Sequence, residues 1–144
     1  MNSNDNIELL KECDSGTKMA VSSIDEVIDK VSDEKFKNML VTFKDKHTIL
    51  GNEIHGLLSS CNEEDKEPNP VAKGMSWIKT NVMLSMKDND KTVADIITDG
   101  CNMGIKSLNR YLNQYTAADA DSRKICNELI SIEEKFAKDI RCYL

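Results

Sequence analysis

A chain of 144 residues, 40% hydrophobic and 31% charged, holds enough material for one domain with a core and too little to suggest two. Its net charge of −6 comes with scattered lysines and no basic stripe, which excludes the clustered Lys/Arg footprint of a nucleic-acid binder. No apolar run approaches the roughly 20 residues of a membrane span, and the polar start MNSNDNIELL lacks signal-peptide form, so a cytoplasmic location is expected.

Four long helices and one short one are predicted. The first runs from Asp5 to about Val31, with Asp5 as cap and Glu8 three residues on. Its buried stripe is Leu10, Thr17, Val21, Ile24, Ile28 and Val31. Ser32 is placed to cap the second helix, 33–61, with Asp33 and Glu34 favoured in its first turn by the helix dipole. Along that helix Phe36, Leu40, Phe43, His47, Leu50, Ile54 and Leu57 recur at an unbroken 4-3-4-3 spacing, one stripe of a helix. A turn this tight makes the first two helices an antiparallel hairpin.

An acidic, proline-punctuated linker, NEEDKEPNP (62–70), follows. Val71, Met75, Ile78 and Val82 then predict a short amphipathic crossover helix over 71–86, carrying Trp77, Met83 and Met86, whose expected task is to cover the bundle. The third long helix, 89–115, places Ile97, Cys101, Gly104, Leu108, Tyr111 and Tyr115 on its stripe. After the turn TAADAD the fourth long helix, 122–142, buries Cys126, Leu129, Ile130, Phe136, Ala137 and Ile140. No segment alternates with a period of two over strand length.

The segments 17–28 and 101–112 align: Met19 with Met103, Ala20 with Gly104, Ser23 with Ser107 and Ile24 with Leu108. Two helical hairpins related by an approximate two-fold are the reading. The same offset, 84 residues, maps Thr17 onto Cys101, and an offset of 86 maps His47 onto Glu133. These four are the polar or small residues among otherwise apolar stripes. Each lies about 15–16 residues from its own turn, or about 23 Å at 1.5 Å per residue. A shared layer at the bundle's waist, a structural polar core of Thr17, His47, Cys101 and Glu133, is therefore expected.

Hairpin, long crossover and hairpin, with polar residues at mid-helix and the tryptophan-bearing segment 74–86 between them, resembles the ferritin-like superfamily. More narrowly it is similar to its bacterial branch of small uncharacterised ferritin-like proteins. The resemblance implies an all-α, antiparallel four-helix bundle with a crossover helix between the second and third long helices. A di-iron member carries a Glu from each of two helices and Glu-x-x-His from each of the other two. Here His47 has Lys44 three residues before it, Glu133 is followed by Phe136, the first helix offers Thr17 with Asp14 at the flank, and the third offers Cys101. A competent di-iron centre is not expected.

Five cysteines, at 13, 61, 101, 126 and 142, form no CxxC and no zinc-spaced cluster, so free packed thiols are expected. Neither a Gly-x-Ser-x-Gly elbow nor a phosphate-binding glycine loop is present, so no catalytic residue is assigned. The expected function is a non-catalytic binding or assembly module, a homodimer or larger homo-oligomer, without a cofactor. The alternative is a metal-binding or redox protein whose mononuclear iron, zinc or manganese is held by His47, Glu133 and Cys101. A hydrogen-bonded His47–Glu133 pair fixing helix register is the structural reading of the same residues. Gly100 and Gly104 allow close approach of the third long helix to a neighbour. Asp95, Asp99, Glu53 and His55 read as solvated.

Overall fold

The computed structural model describes residues 4–61, 63 and 89–144, all helix and connecting turns. Four α-helices result: α1 (Asn4–Val27), α2 (Glu34–Ser60), α3 (Asn89–Gln114) and α4 (Ala120–Asp139), with 3₁₀ turns at Ile28–Lys30 and Ile140–Tyr143. No strand occurs among the described residues. The predicted crossover helix 71–86, with Trp77, Met75, Met83 and Met86, and the linker apart from Glu63 lie outside the described residues.

The helix starts differ from expectation because tertiary partners recruit the capping residues. Asp33, not Ser32, caps α2, accepting from the Phe36 amide at 2.8 Å. Ser32 is drawn instead to α3: its amide and that of Asp33 donate to the two carboxylate oxygens of Asp90, at 2.8 and 3.0 Å. Helix α4 begins two residues earlier than expected, capped by Asp119, which accepts from the Ser122 amide at 2.8 Å. Asp5 lies inside the first turn of α1, and its carboxylate accepts from the Ala117 amide, 2.9 Å away in the α3–α4 turn. Asn6 completes that clasp by donating to Asp119 at 2.9 Å and accepting from the Asp119 amide. Both ends of the bundle are thus tied by side chains satisfying exposed helix-terminal amides.

The core divides in two. One cluster, around Ile24, Phe36, Leu40, Val93, Ile97 and Phe136, fills the end nearest the α1–α2 turn. The other, around Leu9, Leu50, Ile54, Leu108, Cys126 and Leu129, fills the opposite end. Along every helix the passage between clusters falls at mid-length: between Phe43 and Leu50 on α2, and between Ile130 and Phe136 on α4. Stacked rings mark the boundary, with Phe43 and Phe136 centred 4.3 Å apart and 12° from parallel.

Helix α1 packs against each of the other three, whereas α2 and α3 barely meet. The α1–α4 diagonal is therefore the short one. Gly16 of α1 faces Leu129 of α4 across it, a Cβ there standing 3.5 Å from Leu129 Cδ2. The buried set of α1 is correspondingly wide, including Asn6, Leu9, Cys13 and Asp14 beyond the expected stripe, while Val21 and Ile28 are only half-buried.

Candidate functional site

At the boundary between the two clusters the helical period puts a histidine of α2 and a glutamate of α4 face to face. His47 is 0% exposed and Glu133 8%. His47 Nδ1 lies 2.6 Å from the Phe43 carbonyl, one turn back on its own helix. A carbonyl only accepts, so Nδ1 carries a proton and donates it. Nε2 then faces Glu133 Oε1 in direct hydrogen-bonding contact. With Nδ1–H fixed, that contact needs one proton between Nε2 and Oε1, held as imidazolium–carboxylate or as neutral imidazole and carboxylic acid. Either way the pair carries no net charge, which keeps two titratable groups tolerable in a dry interior.

Two residues of α3 finish the carboxylate's surroundings. The Cys101 thiol hydrogen-bonds Glu133; burial, then the neighbouring negative charge and that bond, push the thiol well above its ordinary range. Gly104 presents bare backbone to the other oxygen: a Cβ there would lie 3.5 Å from Oε2. This is the close approach anticipated for Gly104, and its neighbour is α4 of the same chain; Gly100 faces open space.

His47, Glu133 and Cys101 are thus brought together, and Thr17 is not part of their network. It is buried at the same level, but its hydroxyl donates to the Asp14 carbonyl at 2.9 Å. Its side chain instead meets Gly51 on α2, where a Cβ would stand 3.0 Å from Oγ1. Asp14, expected at the flank of its stripe, is buried, with Oδ2 3.1 Å from Lys18 Nζ. Asp95, Asp99, Glu53 and His55 are exposed, as their positions off the stripes suggested.

Among the described residues, no group of three or more His, Cys, Asp and Glu is arranged to hold a metal ion. The reason at the waist is specific. Glu133 sits directly on Nε2, the one nitrogen whose lone pair could coordinate. The iron, zinc or manganese site read from these three residues is not assembled in this geometry.

The described residues are all helix and turn, with a closed polar contact in their core. No family model matches the chain, nor does any curated protein or solved structure. No helix among the described residues is long and apolar enough to cross a membrane.

Proposed function

We propose that the chain is a non-catalytic binding or assembly module of ferritin-like, antiparallel four-helix layout, acting in the cytoplasm as a homodimer or larger assembly. The observation that carries this reading is the satisfaction of the waist. Both imidazole nitrogens and one carboxylate oxygen are spent on protein partners inside a core that leaves His47 no exposed surface. Such a contact fixes how α2 and α4 register against each other and occupies both ring nitrogens of His47. The opposed-direction layout is supported by the pairings along α1 and α2: Asp25 with Lys44, Thr17 with Gly51 and Lys11 with Glu63, one number falling as the other rises. The outer faces on which assembly is to be tested carry Ile49 on α2, 68% exposed, and Met103 on α3, 67% exposed.

Light scattering coupled to size exclusion tests the assembly: a dimer or larger species is expected, with Ile49→Glu or Met103→Glu shifting it toward monomer. A strict monomer at high micromolar concentration overturns it. Metal analysis of protein purified without a histidine tag tests the other half. A folded protein with far less than one ion per chain is expected. Stoichiometric iron, zinc or manganese that disappears in His47→Leu would replace this reading with a mononuclear metal site.

A further inference from the structure

None of the five cysteines is in a disulfide, and two of them, far apart in sequence, lie in the same part of the core. Cys13 of α1 and Cys126 of α4 are fully buried in the same apolar cluster, on the short diagonal of the bundle. They fall in the register that Asn6 with Asp119 and Gly16 with Leu129 set between the two helices, each pair 113 residues apart. The Cys126 thiol donates to the Leu108 carbonyl at 3.7 Å. We propose that Cys13 and Cys126 form a redox-modification site, a buried dithiol that a hydroperoxide converts to a disulfide joining α1 to α4.

The two sulfurs are not equivalent. The hydrogen bond from Cys13 draws the Cys126 thiol down, burial opposes this, and the positive charge of Arg123, one turn earlier on α4, assists it. Cys13 is pushed well up, first by the same hydrogen bond and then by burial. With Arg123 one turn before it on α4, and with Glu12 and Asp14 flanking Cys13 on α1, Cys126 is the attacking sulfur and Cys13 the resolving one. In the first step Cys126 gives up its proton and its thiolate attacks one peroxide oxygen. A sulfur–oxygen bond forms, the oxygen–oxygen bond breaks, and the departing alkoxide or hydroxide takes that proton. Cys126 is left as a sulfenic acid. In the second step the Cys13 sulfur attacks it: the sulfur–sulfur bond forms, and hydroxide leaves with the Cys13 proton as water. Two thiols and one hydroperoxide give one disulfide, one alcohol or water, and one further water; the two electrons pass from sulfur to the peroxide.

Burial shapes the outcome. A thiol with no exposed surface has no room for a bulky mixed disulfide, so the neighbouring thiol is the partner within reach. The same burial makes a small oxidant necessary and ties the rate to transient opening of the bundle. The S–S bond of about 2.05 Å requires the two side chains to turn toward each other from their packed positions.

The sequence makes the test clean, since trypsin leaves each cysteine on its own peptide: 12–18, 47–66, 92–106, 125–135 and 142–144. Native full-length protein is treated with hydrogen peroxide, quenched, alkylated and digested for mass spectrometry. The expected product is peptide 12–18 joined to 125–135, two hydrogens lighter than the sum and released by dithiothreitol, in most chains. In Cys13→Ser, and in Cys13→Ala should the first fold poorly, Cys126 is expected to be trapped by dimedone as its sulfenic acid. The proposal is overturned if Cys13 and Cys126 remain unlinked after the exposed Cys142 is fully oxidised. It is overturned equally by links scrambled onto Cys61, Cys101 or Cys142, or by a Cys126 that dimedone does not trap in both variants.

Discussion

Lys44 and His47 stand one turn apart on α2, and each meets a carboxylate from a neighbouring helix. Lys44 reaches Asp25 of α1 at 2.5 Å on the outer surface, with both side chains substantially exposed. His47 reaches Glu133 of α4 with no exposure at all. Two similar contacts thus sit in opposite surroundings. On the surface, water solvates either partner when the other is lost, so the pair adds little. In the core nothing replaces a missing partner, so each member depends on the other although the pair need not be better than a hydrocarbon in its place.

The contrast is broken most sharply by substitution at the waist. His47→Leu or Glu133→Leu alone is expected to cost about 3–5 kcal/mol of unfolding free energy, because each leaves a buried polar group without its partner. His47→Leu with Glu133→Leu is expected to fall within about 1–2 kcal/mol of the parent. The Phe43 carbonyl keeps its helical backbone partner in both. Urea denaturation of the four proteins measures the coupling, and additive effects would show that the pair does not act as a unit.

Smaller in effect, Asp119→Ala removes a cap and the clasp to Asn6 and is expected to cost about 1 kcal/mol. Hydrogen bonding from Ser122 holds the Asp119 carboxyl below its ordinary value of 3.8. A carboxyl depressed in the fold contributes its full stability above the unfolded value and loses it as pH falls through the folded one. The difference between parent and Asp119→Ala should therefore be constant above about pH 5 and shrink below about pH 4. A difference that grows on acidification would contradict the assignment. Smallest of all, Lys44→Ala and Asp25→Ala are expected to leave the midpoint of thermal unfolding unchanged within error, at low and at high salt. A marked salt-dependent loss would mean that the surface pair resembles the buried one after all.

The long helices and the waist pair were legible because both rest on period and offset. A 4-3-4-3 stripe needs no knowledge of the partner helix, and the 86-residue spacing of His47 and Glu133 repeats the geometry of the two hairpins. The caps were not legible to the residue. Ser32 and Asp33 are both good caps in isolation, and Asp90, 57 residues away from the nearer of them, decides between them. Nor could the burial of Asp14 or the meeting of Cys13 with Cys126 be read. Both depend on α1 lying on the short diagonal, where it buries more of its circumference than a single stripe. That position is a property of how four helices pack together rather than of any one of them.

The hub position of α1 also sets an order in time. Its contacts with α4 join residues more than a hundred positions apart, as in the 113-residue separation of Asn6 and Asp119. Synthesised first, α1 exposes Leu9, Cys13 and their neighbours until the last helix exists to cover them, since only α2 forms beside it early. Of the four described helices, the one made earliest is therefore covered last. That waiting surface is where a nascent chain would associate with another copy or with a chaperone.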